Sequence, residues 1–389
     1  MTTQIIEANQ GLITNEMQTI ADFEMCVAEN VRKHTEEGEV VILKNNQREA
    51  QNYFGIGKGL GVKVCTAFNM ASSNEELLDM FKIVKMAGAH SLLETSACDD
   101  IAEKREKLIA STALPYGTIP IHQSVYENLS KGKTISKLTK KKIISDIEAQ
   151  VTAGVDFVVL NVSLTSEILN NAKENNYDVY SDNAKLIAYW MEATEKENPY
   201  YEAYDEVLDI LRTYDVALCL ELSLKNTSVF DFMNKYQMQE LVILGELTKK
   251  ARNSGVQVFV DPIGVTSIDN FKYAVDMVKK ITGNAPIFAT NINVIDSENE
   301  KTFSSTSIAN TLLAYCGADF IQSFKLPKTT GYFNAKLLKE SIESALMSAK
   351  MADYAKNNSK AVEFEKKYFE EKKSQQKETH AELIKKIFS

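Results

Sequence analysis

Gly255-Val256-Gln257-Val258-Phe259-Val260-Asp261 follows a helical pattern over 239–254, and this stretch decides the fold. The glycine stands where the C-cap of a helix belongs. The run that follows is nearly apolar throughout, which is typical of a parallel strand that is covered by helices on both faces. The helical pattern, the glycine and the apolar run together predict one β/α unit of a parallel sheet.

The same order of helix, glycine and strand recurs along the chain. Gly88, Gly154 and Gly317 each stand just before another apolar run. Amphipathic helices are predicted over Glu75–Met86 (with Asn74 as its N-cap), Ile143–Ala153, Tyr200–Tyr214, Gln239–Ser254 and Asn270–Thr282. Eight strands are predicted at Val62–Thr66, Ser91–Glu94, Leu114–Pro120, Phe157–Asn161, Ala217–Leu222, Gln257–Asp261, Ile287–Thr290 and Phe320–Phe324. Eight β/α units predict an α/β fold of the TIM-type (β/α)₈ barrel class.

The chain divides into three predicted parts. Residues 1–60 are predicted to form a small N-terminal α/β segment, in which Val40–Leu43 is the one strand, and residues 61–330 form the barrel. Residues 331–389 are predicted to be a C-terminal helical extension, with a helix over Ala335–Asn357. Its charged tail, Glu363–Lys386, is expected to be a solvated helix, and a partner-binding helix is the alternative.

Composition excludes several classes of protein. With 389 residues, 44% hydrophobic and 25% charged, the chain can bury a large core. Its net charge of −9 argues against a nucleic-acid surface.

No apolar run approaches the ~20 residues that span a bilayer, and the N-terminus shows no secretion signal, so we expect a cytoplasmic protein without membrane partners. Its 5 cysteines are widely spaced and odd in number, which is typical neither of a disulfide framework nor of a clustered metal site.

Seven stretches carry a resemblance to one family. They are Gly55–Leu60, Tyr116–Gln123, Ala153–Phe157, Asn198–Tyr201 with Tyr214–Val216, Leu244–Lys249, Val256–Val258 and Ala285–Phe288. In their order and spacing they resemble motifs of the ThiC family of phosphomethylpyrimidine synthases, and the similarity extends from about residue 10 to 360. The resemblance implies a dimeric barrel enzyme that converts aminoimidazole ribotide to hydroxymethylpyrimidine phosphate by a radical S-adenosylmethionine reaction. It also implies a four-iron cluster on a Cys-x-x-Cys-x-x-x-x-Cys segment and a divalent metal ion on two histidines.

This sequence departs from the family at the positions that would hold those groups. No cysteine follows Cys316, and three thiolates close in sequence are needed for the cluster. Val265 stands where the resemblance places one metal-binding histidine, and no histidine lies near Lys301–Phe303, where the second would fall. Asp182, next to Ser181, brings a negative charge to the family's phosphate-binding turn. We therefore expect no cofactor and no metal ion.

Polar residues remain at the predicted mouth of the barrel, where parallel strands end. The candidate ligand-binding residues, which include Ser181 of the phosphate turn, are Glu94, Ser96, His122, Asn161, Ser181, Glu221, Asp261, Asn291 and Lys325. They predict either a rebuilt pocket for a small polar or cationic ligand or the ordinary wet lining of a barrel mouth. No catalytic nucleophile can be assigned from their spacing.

Three functional hypotheses follow, and they differ on whether the chain is an enzyme. The first is a pseudoenzyme: a ThiC-like paralogue that binds a small molecule and lacks the radical reaction. The second is a subunit that pairs with a cluster-bearing paralogue in thiamin or cobamide lower-ligand synthesis. The third is a different lyase or metal-assisted hydrolase that uses Glu94, Glu221 and Asp261. A homodimer is expected from the resemblance, with a heterodimer as the alternative.

Overall fold

The computed structural model describes residues 2–48, 51–69, 73–226, 228–229, 231–290, 303–323 and 335–356. Two candidate site residues, Asn291 and Lys325, lie outside the described residues. The predicted tail Glu363–Lys386 lies outside them as well, and so does the last residue of the eighth predicted strand, Phe324.

The strands form an antiparallel hairpin and a parallel barrel. They are β1 (Val40–Leu43), β2 (Phe54–Gly57), β3 (Lys63–Phe68), β4 (Ser91–Glu94), β5 (Tyr116–Thr118), β6 (Phe157–Leu160), β7 (Ala217–Glu221), β8 (Val258–Asp261), β9 (Phe288–Ala289) and β10 (Phe320–Gln322). In the 8-stranded sheet the order is β8-β7-β6-β5-β4-β3-β10-β9. A parallel bridge between Val260 and Ile287 joins the two ends. The structure therefore confirms the TIM-type barrel and all eight predicted strands.

Helices connect the parallel strands along the outside of the barrel, as crossover connections require, and further helices precede and follow the barrel. They are α1 (Gln4–Asn9), α2 (Asn15–Glu24), α3 (Ala28–Glu36), α4 (Asn74–Ala87), α5 (Ile101–Ser111), α6 (Pro120–Ser130), α7 (Lys140–Thr152), α8 (Ser166–Glu174), α9 (Asp182–Thr194), α10 (Pro199–Glu202), α11 (Tyr204–Tyr214), α12 (Lys235–Asn253), α13 (Phe271–Ile281), α14 (Phe303–Cys316) and α15 (Ala335–Ala355). Short 3₁₀ turns occupy Ile135–Lys137 and Ile268–Asn270. The four predicted glycines before strands all have positive φ, between 80° and 126°. This conformation lets the chain leave each helix and turn into the next strand.

Three sequence predictions about these elements were wrong. The N-cap of α4 is Ser73, whose hydroxyl accepts from the N–H of Glu76 in a capping box, so Asn74 is already helical. The predicted helix Tyr200–Tyr214 is two helices, because Ala203 takes a non-helical conformation between α10 and α11. The strand Val40–Leu43 is confirmed, but it is not the one strand of its segment: β2 pairs with it in antiparallel register, although two glycines made β2 a poor candidate strand.

The N-terminal hairpin closes the end of the barrel opposite the mouth. Val41, Leu43 and Ile56 of the hairpin belong to the same buried cluster as the aromatic residues of the barrel interior, Phe157, Phe259, Phe288 and Phe320. The rings of Phe288 and Phe320 stack with centroids 4.3 Å apart. The amide of Gln257, just before β8, bonds both the N–H and the C=O of Ile42. With this end filled, access to the interior is restricted to the mouth.

A buried carboxyl fixes the first helix to the barrel. The backbone N–H of Gln4 donates to both carboxylate oxygens of Asp215, at 3.1 and 3.3 Å. Burial raises the pKa of Asp215 to about 7, although Lys44 and the N–H of Gln4 favour the ionised form. A carboxyl whose pKa is higher in the folded chain than in the unfolded chain stabilises the fold at low pH, and that stability is lost as pH rises.

We expect Asp215→Asn to reduce the pH dependence of folding. The wild-type chain should lose stability relative to the variant as pH rises from about 4, the unfolded pKa, to about 7, by on the order of 2–4 kcal/mol. Denaturant unfolding of both proteins at pH 4.5 and pH 8 measures this difference. An equal difference in unfolding free energy at the two pH values would contradict the assignment.

Among the described residues, none of the helices has the length and apolar character that crossing a membrane requires.

Candidate ligand site at the barrel mouth

A cavity of about 650 Å³ opens at the carboxyl ends of the strands. Its floor includes Glu221 and Asp261, the last residues of β7 and β8, which are register partners in neighbouring strands. Its wall comes from the loop after β4, the first turns of α6 and the start of α9. Ligands of TIM barrels bind at this face, so the cavity is the candidate site.

Lys225 joins the two strand-end carboxylates. Its Nζ lies 3.1 Å from Oε1 of Glu221 and 2.9 Å from Oδ1 of Asp261, and all three side chains are at most 5% exposed. Burial raises the pKa of Asp261 to about 6, against the attraction of Lys225. Burial disfavours the charge of Lys225, but its two carboxylates together raise the pKa of the ammonium above its usual range. One ammonium thus serves two acids, and the group keeps a net negative charge when both acids are ionised.

Neutral donors hold the remaining carboxylate oxygens. The amide of Asn183 donates to Oε2 of Glu221 and, at 3.0 Å, to Oδ1 of Asn161. The hydroxyl of Thr290 donates to Oδ2 of Asp261. Asn161 in turn donates to the backbone carbonyl of Glu221 at 3.1 Å. These bonds fix the orientation of both carboxylates before any ligand arrives.

Ser181 positions the asparagine of this network. It is the N-cap of α9, and its hydroxyl accepts from the N–H of Ala184. Asn183 therefore stands in the first turn of the helix, buried, while Asp182 and Lys185 are exposed beside it in the cavity lining. An acidic side chain in the first turn interacts favourably with the positive end of the helix dipole, and Asp182 occupies that position here.

Glu94 belongs to a separate group beneath the mouth. It accepts from Nε of Arg105 at 3.0 Å, from Nη2 of Arg105 at 2.7 Å and from the hydroxyl of Tyr116 at 2.8 Å. Both Glu94 and Arg105 are nearly fully buried. Burial, with the Glu94 charge beside it, raises the pKa of Tyr116, so the phenol remains the donor. Glu94 is therefore committed to internal partners.

The structure places the predicted site residues in three groups. Those that line the cavity are Ser96, His122, Ser181, Glu221 and Asp261. Glu94 and Asn161 lie behind the lining and bind other side chains. Asn291 and Lys325 are outside the described residues.

Several residues of the site were not predicted from the sequence. They are Lys225, Asn183 and three tyrosines of the cavity wall, Tyr126, Tyr180 and Tyr189. The one available signal was the motif around Ser181, which drew attention to the start of α9. Lys225 follows Glu221 by four residues, but it lies in a loop, where that spacing predicts no contact.

The cysteines do not fit a four-iron cluster in this chain. Cys65 and Cys219 are buried among the aromatic residues of the barrel interior, and burial raises the pKa of Cys65 to about 12. Cys98 lies in the loop after β4 on the mouth side, whereas Cys316 ends a helix that leads into β10 from the opposite side. Three thiolates at one place are needed to hold a cluster with one open iron. These residues therefore supply no such set.

The histidines do not fit a metal centre on two imidazoles either. Of the 4 histidines, His122 lines the cavity, His380 lies outside the described part of the chain, and Nδ1 of His90 accepts from the N–H of Val64 at the start of β3. Val265 is buried after β8. Within the described ranges, the three metal-ligand side chains that converge within 4.8 Å are His34, Glu37 and Glu39, far from the mouth in the N-terminal segment. Of the three acids in the predicted metal-ion alternative, Glu221 and Asp261 converge on the Lys225 ammonium, whereas Glu94 binds Arg105 and Tyr116.

Comparison with known proteins identifies the family. The model of the radical SAM ThiC family matches residues 3–386. A phosphomethylpyrimidine synthase of Caldanaerobacter subterraneus subsp. tengcongensis is 34% identical over 366 residues, which cover 93% of this chain and 85% of that protein. The 5-hydroxybenzimidazole synthase BzaB of Moorella thermoacetica is 31% identical over 366 residues, covering 93% of this chain and 86% of that protein. The match along nearly the whole chain shows that this protein belongs to the radical SAM ThiC family.

Proposed function

We propose that this chain is a ThiC-family barrel that binds a small polar or cationic molecule at its mouth and does not itself perform the radical reaction. The observation that carries the proposal is the pairing of two acids with one ammonium at the cavity floor. Such a floor retains negative charge, and a negatively charged cleft attracts cations and hydrogen-bond donors. The tyrosines of the wall offer flat apolar faces for a ring above it.

The charge of the lining favours a ligand without phosphate. The N-terminus of a helix attracts anions. Asp182 lies in the first turn of α9, and its negative charge opposes the binding of an anion there. Lys185 is the one Lys or Arg among the residues that line the cavity within the described chain. Glu221 and Asp261 add further negative charge at the floor. A phosphate ester would therefore meet more repulsion than attraction.

The relatives suggest the chemical class of the ligand. Their names describe the synthesis of a pyrimidine and of a benzimidazole, both of which are flat nitrogen heterocycles. A protonated or amino-substituted ring can donate N–H groups to carboxylate oxygens while its faces contact tyrosine. We infer that this chain binds a free heterocycle of this kind.

Isothermal titration calorimetry with aminopyrimidine, benzimidazole and their phosphorylated counterparts tests the proposal. The free heterocycles should bind more tightly than the phosphorylated ones, and Asp261→Asn should weaken their binding by roughly tenfold, the usual cost of one charge-assisted hydrogen bond. Because burial raises the pKa of Asp261 to about 6, a ring with a permanent positive charge, such as the 1,3-dimethylbenzimidazolium ion, should bind more tightly as pH rises from 5 to 7. Asp79→Asn, an exposed change on α4, serves as the matched control.

Two outcomes would count against the proposal. Tighter binding of the phosphorylated compounds would show that the cavity prefers phosphate esters, as the substrates implied by the family resemblance are. If Asp261→Asn leaves the binding affinity unchanged, the mouth carboxylates do not contribute to ligand binding. Turnover of a bound heterocycle in the same samples would instead favour the third hypothesis, a lyase that uses these acids.

The hetero-oligomer hypothesis makes a different prediction for the same site. A partner could supply thiolates, but its cluster would face a mouth in which Glu221 and Asp261 already bind Lys225. Co-purification with a cluster-bearing paralogue, together with radical activity of the pair, would favour it.

A further inference from the structure

Lys225, Glu221 and Asp261 form a buried group of one positive and two negative side chains at the floor of the cavity. Glu221 and Asp261 are directly opposite each other on β7 and β8, and each directs one oxygen to the same ammonium, at 3.1 and 2.9 Å. Their other oxygens accept from the neutral donors Asn183 and Thr290. The ammonium is thus the cation on which both carboxylates converge.

Two convergent carboxylates at a barrel mouth are a ligand set that hard divalent cations use. Mg²⁺ and Ca²⁺ bind carboxylate oxygens at about 2.0–2.6 Å, and Mn²⁺ prefers the same oxygen ligands. A lysine ammonium at about 3 Å occupies the same position between the acids and carries half the charge of such an ion. A divalent ion could reach both oxygens only by displacing the ammonium or by remaining beside its positive charge.

The turn after β8 provides the room for the lysine. A Cβ on Gly264 would lie 2.8 Å from Cβ of Lys225 and would also collide with the backbone of Asn226. The N–H of the next residue, Val265, donates to the carbonyl of Asn226 at 2.9 Å. The loop that carries Lys225 therefore packs directly on the turn in which Val265 replaces the histidine expected from the family resemblance.

We propose that the Lys225 ammonium is a permanent internal cation, which fills the position between Glu221 and Asp261 and keeps divalent metal ions out of the barrel mouth. The role of Lys225 does not depend on which ligand the mouth binds.

Mn²⁺ titration of the purified full chain tests the proposal, with free Mn²⁺ followed by electron paramagnetic resonance and melting temperature followed in the same samples. All proteins carry Glu37→Gln, because His34, Glu37 and Glu39 converge elsewhere and could bind Mn²⁺ themselves. The proteins compared are this background, Lys225→Ala, Lys225→Arg as the charge-retaining control, Asp261→Asn alone, and Lys225→Ala with Asp261→Asn.

Lys225→Ala should bind about one Mn²⁺ per chain at least roughly tenfold more tightly than the background, and Mn²⁺ should raise its melting temperature. Lys225→Arg should show no gain, and Asp261→Asn should abolish the gain of Lys225→Ala. A folded Lys225→Ala protein that gains no Mn²⁺ affinity would overturn the proposal. If Lys225→Ala does not fold even with Mn²⁺, the background protein is compared with its Asp261→Asn variant instead. Mn²⁺ binding by the background that Asp261→Asn abolishes would overturn the proposal. Absence of that binding supports it.

Discussion

Lys225→Met should destabilise the fold by about 3–5 kcal/mol, because it leaves two buried carboxylates without their shared cation. Methionine retains most of the volume and the apolar stem of lysine, so the loss reports on charge rather than on a cavity. The lysine and its two partners are at most 5% exposed, and water therefore screens the repulsion between the acids poorly. Chemical denaturation monitored by circular dichroism measures the change in unfolding free energy.

The design of this experiment separates charge from packing. Lys225→Met combined with Glu221→Gln and Asp261→Asn removes the uncompensated charges and should recover a large part of the lost stability. Lys82→Met, which breaks an exposed pair with Asp79, should cost less than about 1 kcal/mol. If the single and triple variants are equally unstable, the loss comes from packing, and the charge account of the mouth is wrong.

The second large effect is expected at Arg105, on the neighbouring side of the barrel. Arg105→Met should lower the unfolding free energy by about 3–5 kcal/mol, because the buried Glu94 carboxylate would lose its cation. Of the partners that the structure describes for Glu94, the Tyr116 hydroxyl would remain. The guanidinium bonds both carboxylate oxygens through two nitrogens, which a lysine cannot reproduce. Arg105→Lys should therefore recover only part of the stability.

Helix α5 offers its own control for this measurement. Lys107 pairs with Glu103 two residues from Arg105, and both side chains are more than 60% exposed. Lys107→Met should therefore change the unfolding free energy by less than about 1 kcal/mol. Equal effects of Arg105→Met and Lys107→Met would show that Glu94 does not need its arginine.

The barrel could be predicted from the sequence because its signals are local. Each strand is a short apolar run, and four of them follow a glycine that ends a helix, so no knowledge of distant contacts was needed. The hairpin partner of β1 was missed for the opposite reason. Phe54–Gly57 contains two glycines and forms a strand only because the edge of β1 is available beside it.

The site could be predicted only in part. Parallel strands place their last residues at one face, and this rule located Glu221 and Asp261 at the mouth. It could not distinguish them from Glu94, whose partner Arg105 comes from the following helix and turns the acid inward. Lys225 reaches the carboxylates from a loop, and Asn183 reaches them from the first turn of α9, where a loop delivers it; both positions depend on the whole fold. Side-chain partners across such loops have no periodicity to read in a sequence.

The measurement that tests the central claim most directly is iron and sulfide analysis of the anaerobically reconstituted full chain, with S-adenosylmethionine cleavage assayed in the same sample. We predict substoichiometric iron and sulfide and no cleavage, because four of the five cysteines are distributed between the interior and opposite ends of the barrel and Cys26 lies in the N-terminal segment. About four irons per chain together with cleavage of S-adenosylmethionine would contradict the account.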